Sequence, residues 1–291
     1  NDPPPDPRIR AAYEPRIRIL PTANLLPLAR ELEADEIVVT HDDRRGTNLQ
    51  GLLDCKKYGF PVVPYLSFIE HESRRVDVNR PELVGWLIYT RGFYFGTLDR
   101  FLKRTLDIVV SLMLLILFTP FLVAAAIAIK LDDGGPLLYR QTRVTLNGRE
   151  FPVLKLRSMR TDAEAAGAVW ASVRDPRITR VGQILRQSRV DEMPQLFNVL
   201  RGEMSLVGPR PERPEFITEL AAQLPLYNER HMVKAGLTGW AQINYPYGAS
   251  IEDARAKLSY DLYYVKNFSI LFDMLIILQT LRVVLWPSGA R

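Results

Sequence analysis

From Ile108 to Ile129 the chain reads IVVSLMLLILFTPFLVAAAIAI, an apolar run interrupted only by Ser111, Thr119 and Pro120. A segment of this length and composition has few folding options. As a helix rising about 1.5 Å per residue it extends roughly 33 Å, enough to cross the core of a bilayer. A plain transmembrane span is the first reading. Pro120 and the flanks supply a second. Proline removes a backbone donor and bends or breaks a helix. Both flanks are basic, with Arg100, Lys103 and Arg104 before the run and Lys130, Arg140 and Arg143 after it. Basic flanks favour the cytoplasmic side. A helix that enters, bends at Thr119-Pro120 and leaves by the same face satisfies both ends, with the Thr119 hydroxyl serving carbonyls freed by the bend. From these residues alone, span and re-entrant helix both stand.

The remainder reads as globular. Of 291 residues, 47% are apolar and 24% charged, a balance that supports a packed core in one large or two modest domains. Residues 1–15 are rich in proline and charge and read as a linker or arm. Residues 16–85 alternate strand and helix patterns: RIRIL, then NLLPLARELEA, EIVVTHDD, NLQGLLDCKKYG, and an extended PVVPYLSF. This alternation predicts an α/β domain with a small parallel sheet and crossover helices. It contains no GxGxxG, so nucleotide binding there has no motif support, and a structural or regulatory role is expected. Residues 86–130 are a connector and the apolar helix.

Residues 131–291 predict a mixed α+β, mainly helical domain. PLLYRQTRV and REFPVLKLRSM form a hairpin around LNGR. Helices are expected in DPRITRVGQILRQS, DEMPQLFNVLRG, the end of GPRPERPEFITELAAQL, and SIEDARAKLSYDLYYVKN. The last helix, SILFDMLIILQTLRVVLW, suits either a membrane surface with Trp286 at the interface or a protein core.

The single Cys55 excludes an intramolecular disulfide, and His41, His71 and His231 are too scattered for a zinc motif. The net charge of +5 suits phosphate-bearing partners, namely nucleic acid, nucleotides or an anionic membrane face. Thirty-three interspersed acidic residues weaken the nucleic-acid option.

Chemistry concentrates in SRVDEMPQLFNVLRGEMSLVGPRPERP. Asp191 and Glu192 are adjacent, with Pro194 two residues on. A helix beginning here makes Asp191 its N-cap and Pro194 its third residue, where proline is tolerated. An acidic N-cap is an ordinary structural device. Adjacent carboxylates, however, raise each other's pKa unless a cation intervenes. Oxygen ligands without His or Cys suit Mg²⁺, which commonly also takes substrate phosphate oxygens. Arginines crowd the neighbourhood: Arg186, Arg189, Arg201, Arg210 and Arg213. Arg210, held between two prolines, offers a guanidinium fork with little backbone freedom, suited to phosphate. Surface salt bridges explain any one of these arginines equally well. Lys155 and Arg157 alternate along a strand and share a face. Asp273, alone in SILFDMLIIL, needs a partner or a function in apolar surroundings; Asp261 needs only a helix face.

Taken together, RFLKRTLDIVVS…LFTPF, YRQTRV.LNGREF.VLKLRSM, DPRITRVGQILRQSRVDEMPQLFNVLRGEMSLVGPRP and GLTGWAQIN…YDLYYVKN resemble the bacterial sugar transferase family, the monotopic phosphoglycosyl transferases. The resemblance runs from about Arg100 to the C-terminus, and its details are most similar to the exopolysaccharide-biosynthesis branch. Residues 16–85 resemble part of the Rossmann-like domain of larger members. Those members also carry N-terminal transmembrane helices, which these residues do not contain, so a shortened form is implied. The fold implied is a partial Rossmann-like α/β domain followed by a mixed α+β, mainly helical, monotopic membrane catalytic domain with a Pro-kinked re-entrant helix at Thr119-Pro120.

The resemblance implies transfer of sugar-1-phosphate from a nucleotide-diphosphate sugar, commonly UDP-hexose, to undecaprenyl phosphate with release of UMP. Asp191 matches the nucleophile and Glu192 the Mg²⁺ ligand. Arg210 and Arg186 match phosphate-side arginines; Lys155, Arg157 and Arg143 are counted with them as substrate-binding cations. Asp273 and Asp261 are counted as acidic site residues. Membrane lipid is an implied partner, a homodimer is expected by analogy, and nucleic acid is not. The implied location is the cytoplasmic face of a bacterial inner membrane. The chain departs from the family at Ala235, at Thr145 and at YPYGAS after QIN, which leaves sugar and nucleotide preference open. The alternative is a non-catalytic membrane adaptor that binds nucleotide-sugar or polysaccharide machinery.

Overall fold

The structure, a computed structural model, describes residues 24–40, 48–78, 96–163, 175–246, 248 and 250–285. The expected linker, the strand RIRIL, His41 and Trp286 lie outside the described residues. The chain divides into two compact units, one ending at Val76 and one beginning at Asp77.

The first unit contains α1 (Leu25–Glu31), β1 (Ile37–Val39), α2 (Leu49–Lys57), β2 (Val62–Pro64) and α3 (Tyr65–Ser73). β1 and β2 pair in parallel, Ile37 opposite Val62, which requires the crossover that α2 provides. Asn48 starts α2 by accepting the Gly51 amide at 2.9 Å. The segment PVVPYLSF is extended only as far as Pro64. Proline's fixed φ is extended-compatible and suits the position before a first turn, so Pro64 precedes α3 and Tyr65 onward is helical.

The second unit is built along α4 (Thr97–Asp133), a helix of 37 residues and about 55 Å. The Gly96 amide donates to Asp99 Oδ2 at its start. Gly134 ends it at φ 70°, a conformation that costs glycine nothing. The helix runs through Thr119 and Pro120 without interruption. Pro120 leaves the Ile116 carbonyl without its usual amide, while the Thr119 hydroxyl donates to Leu115 O at 2.6 Å.

One stripe of α4 faces the domain. Asp107, Ser111, Ala125 and Ile129 are buried on it, with Leu114 and Leu122 partly buried between them. These spacings follow the helical period. The outward face is apolar and exposed, including Leu112, Met113, Ile116, Leu117, Phe121, Val123 and Ile127. The helix is therefore long and apolar enough to cross a membrane, yet it touches the same domain near both of its ends.

β3 (Leu138–Val144) and β4 (Glu150–Leu156) form the expected antiparallel hairpin, Leu138 opposite Leu156. Asn147 and Gly148 take left-handed φ values of 55° and 74° at the turn, which explains the Asn-Gly pair. Then come α5 (Arg180–Gln187), a 3-10 turn (Val190–Glu192), α6 (Gln195–Arg201), β5 (Ser205–Val207), α7 (Pro214–Gln223), a second 3-10 turn (Tyr227–Met232), β6 (Gly236–Thr238), α8 (Trp240–Asn244), α9 (Ile251–Asn267) and α10 (Ile270–Leu285). β5 and β6 pair in parallel.

The main core joins Phe151 and Val153 of β4, Leu196 and Val199 of α6, Tyr264 of α9 and Ile276 of α10. A second cluster joins Ala125 and Ile129 of α4 to Leu156, Leu185 and Val190. That second cluster sets the apolar helix directly behind the acidic pair. α10 buries Asp273 and Ile276 and exposes Leu271, Met274, Leu278 and Leu281, so it has a core face and an apolar outer face at once.

Candidate active site

The acidic pair does not cap α6. Arg189 adopts a left-handed φ of 59°, and Val190–Glu192 then form a 3-10 turn of their own. Pro194 occupies the position before α6, where its missing N–H has no helical partner to lose. The expectation of Asp191 as N-cap is thus corrected.

The turn hands the two carboxylates to different surroundings. Glu192 Oε1 accepts Arg210 Nη2 at 2.7 Å and Lys155 Nζ at 3.2 Å. Burial alone pushes the Glu192 carboxyl up, but Arg210 and Lys155 outweigh it and hold the group well below the usual carboxylate range. Lys155 is held below its ordinary value, by burial first, with Glu192 opposing. Asp191 is 7% exposed, and its Oδ1 is buried without a hydrogen-bond partner. Burial, and then the Glu192 charge, push Asp191 up to about 6. Two adjacent carboxylates are thereby split into one that stays ionised and one that titrates near neutrality. Such a division of states is typical of reacting acids and bases.

Arg186, from the last turn of α5, donates from Nε to Ser158 Oγ at 2.9 Å, and its charge favours the ionised form of Asp191. Arg143 donates to Pro211 O at 3.0 Å and lies 3.4 Å from Glu212 Oε2. Arg157 is buried, with its guanidinium packed against Gly135.

The remaining two carboxylates have their own partners. Asp261 Oδ2 accepts Arg230 Nη2 at 2.7 Å and Nε at 3.1 Å, deep in the domain. Burial raises its pKa, against Arg230. Asp273 is fully buried and accepts Lys103 Nζ at 2.6 Å and the Tyr264 hydroxyl at 2.8 Å. The partner that Asp273 needs is therefore a lysine on α4.

Sequence reasoning missed two residues that hold the site. Arg230 pairs with Asp261 but stands in no motif. Asn198 Oδ1 accepts the Leu154 amide at 3.0 Å, while its Nδ2 donates to Pro152 O at 2.8 Å and Glu203 Oε2 at 2.7 Å. It locks α6 to the strand that carries Lys155. An asparagine inside LFNVL was its only local signal.

A metal ion has a plausible donor set here. Among the described residues, no three His, Cys, Asp or Glu side chains gather into a cage. Mg²⁺ is ordinarily held by one or two carboxylates together with substrate phosphates. The orphaned Asp191 Oδ1 beside the Glu192 carboxylate fits that mode.

The site is thus a buried pair of carboxylates, one of them bound by two cations, set against a long apolar helix. The chain belongs to the bacterial sugar transferase family, whose pattern matches residues 98–287. It is 44% identical over 191 residues to the UDP-N-acetylgalactosamine-undecaprenyl-phosphate N-acetylgalactosaminephosphotransferase of Aeromonas hydrophila, covering 66% of this chain and 45% of that protein. It is 43% identical over 190 residues to a UDP-glucose:undecaprenyl-phosphate glucose-1-phosphate transferase of Caulobacter vibrioides, covering 65% and 71% respectively. The exopolysaccharide production protein PSS of Rhizobium leguminosarum is 46% identical over 192 residues, covering 63% of this chain and 94% of its own. The chain thus spans less than half the length of the Aeromonas relative.

Proposed function

We propose that the protein transfers sugar-1-phosphate from a UDP-hexose to undecaprenyl phosphate, releasing UMP, as a first step of exopolysaccharide or glycoconjugate synthesis. One observation carries this reading: Asp191 is buried, with its Oδ1 free of any hydrogen-bond partner among the described residues, beside a Glu192 whose charge is already countered by Arg210 and Lys155.

In this reading an Asp191 carboxylate oxygen attacks the sugar-bearing phosphorus. An Asp191–phosphorus bond forms, the phosphorus–oxygen bond to UMP breaks, and UMP leaves with the electron pair. A phosphate oxygen of undecaprenyl phosphate then attacks the same phosphorus and displaces the Asp191 carboxylate. Splitting one displacement into two is the use of covalent catalysis. Arg210, Lys155 and Arg186 hold and neutralise phosphoryl oxygens. Glu192 would hold Mg²⁺, which supplies further countercharge to the phosphates when bound.

Membrane placement follows the same reading. α4 contacts the domain both around Asp107 and around Ile129, which favours both ends lying on one side of the membrane. This supports a re-entrant insertion from the cytoplasmic face of the inner membrane, bent at Thr119-Pro120, over a plain span. The lipid chain of the acceptor then lies against the apolar outer face of α4 with its phosphate at Asp191.

The test is UMP release by the intact protein in lipid nanodiscs with Mg²⁺, undecaprenyl phosphate and a panel of UDP-hexoses. Release with at least one sugar is expected, and its absence with all of them sinks the reading. Asp191→Asn should abolish turnover and the phosphosugar adduct seen by intact mass; an adduct that persists in this variant reassigns the nucleophile.

A further inference from the structure

The loop that delivers Arg210 is held through four of its carbonyls. Pro209 and Pro211 have no N–H to donate. Pro209 O accepts the Gly236 amide at 2.9 Å, and Glu212 O accepts the Val144 amide at 3.0 Å. Pro211 O accepts Arg143 Nη1 at 3.0 Å. The carbonyl of Arg210 itself accepts Arg230 Nη2 at 3.0 Å. Four successive carbonyls are thus fixed by three different parts of the domain.

Arg230 is the member of this set that is costly to place. It is 5% exposed, and a guanidinium so buried needs a full set of acceptors. It finds them in Asp261 Oδ2, through Nε at 3.1 Å and Nη2 at 2.7 Å, and in the Tyr227 hydroxyl at 3.0 Å from Nη1. Asp261 is 2% exposed and has this partner for its charge. Stability alone does not account for such a pair, because apolar residues of similar volume often serve a fold as well. What the pair does, and apolar residues would not, is aim a charged donor at the peptide carrying Arg210.

We infer that Arg230, neutralised by Asp261 and steadied by Tyr227, is a positioning residue for Arg210. It fixes the Arg210 backbone so that the guanidinium meets Glu192 at 2.7 Å. The inference rests on the proposed reaction, and it gives Asp261 a role one layer behind the substrate rather than in contact with it. A guanidinium is needed because two tasks fall to one side chain: a fork on Asp261 and a further N–H on the Arg210 carbonyl. An ammonium keeps the charge but presents no planar fork.

Arg230→Lys is therefore the informative change. UMP release by the wild type first establishes the reaction. The variant should then lose about 10- to 100-fold in kcat, the size expected of a displaced charged group. KM for the UDP-sugar should move by less than about threefold. In an Arg210→Ala background the same change should cost less than about twofold, because its effect runs through Arg210. An unchanged kcat in folded Arg230→Lys, or a full loss repeated in the Arg210→Ala background, overturns the inference. Should Arg230→Lys not fold, Tyr227→Phe keeps both charges and removes one bond; it should show a smaller loss with the same dependence on Arg210, and independence from Arg210 overturns the inference. A wild type without activity defeats the proposed reaction but leaves the geometry testable. In a crystal structure of whichever variant folds, Arg210 should lie beyond about 4 Å from Glu192, and an intact contact overturns the inference.

Discussion

Arg210 Nη2 meets Glu192 Oε1 at 2.7 Å, on the same oxygen that Lys155 approaches at 3.2 Å. One carboxylate oxygen therefore collects two cations, while Asp191 next to it keeps a bare Oδ1. Arg210→Ala should lower kcat/KM for UMP release by about 10²- to 10³-fold, the usual cost of one electrostatic donor. Arg210→Lys should recover little of this, since a point charge cannot reproduce the guanidinium fork.

The raised Asp191 carboxyl predicts two pH effects. Attack needs the carboxylate, so log kcat/KM should decline with unit slope as pH falls below about 6. Stability runs the other way. The folded state holds this proton more tightly than the unfolded chain, whose aspartates titrate near about 4. The resulting stabilisation is complete below about pH 4 and lost as pH rises through about 6. Asp191→Asn carries no charge at either extreme. Its thermal unfolding should therefore exceed the wild type's by about 2 to 3 kcal/mol at pH 8 and converge with it near pH 4.

Lys103 and Asp273 join α4 to α10 through a contact of 2.6 Å, with Asp273 wholly buried. Removing one partner strands the other charge. Asp273→Ala should destabilise the protein by about 3 to 5 kcal/mol. Lys103→Met combined with Asp273→Leu should regain most of that loss in denaturation measurements, while either single change should not.

Asn198→Ala removes three hydrogen bonds and leaves the buried Leu154 amide without its acceptor. A loss of about 2 to 3 kcal/mol in unfolding free energy is expected. Because the same side chain registers α6 against the strand of Lys155, UMP release should fall in protein that remains folded.

The two ends of α4 should face one side of the membrane. In a Cys55→Ala background, cysteines introduced at Leu98 and Leu131 should both react with a membrane-impermeant maleimide in inside-out vesicles. Protection of one end and labelling of the other would establish a plain span instead.

Local signals proved readable where local chemistry decides the outcome. Asn147-Gly148 turns the hairpin because both residues adopt positive φ. Ser250 begins α9 because its hydroxyl accepts the Asp253 amide at 3.1 Å. The start of α6 was misplaced by several residues, because acidity at a helix start looks alike whether the carboxylate caps the helix or stands ahead of it. Asp191 and Glu192 were visible as a pair, but not their unequal states. Those depend on Lys155, 37 positions earlier, and Arg210, 18 positions later, arriving on the same oxygen. Arg230 was invisible for the same reason: its acceptor, Asp261, is 31 residues away, and nothing in NERHM marks it as a pillar.

The charged turn at the start of α4 has a consequence for biosynthesis. Arg104 donates to Val199 O and Leu200 O, Asp107 accepts from Ser205 and Leu206, and Lys103 waits for Asp273. These partners lie between 95 and 170 positions downstream. A ribosome making the chain therefore releases the apolar helix long before the native partners of its first turns exist. Until then those polar groups need water or one another. The domain completed later closes over them. The first turns of α4 are thus completed only by residues made much later.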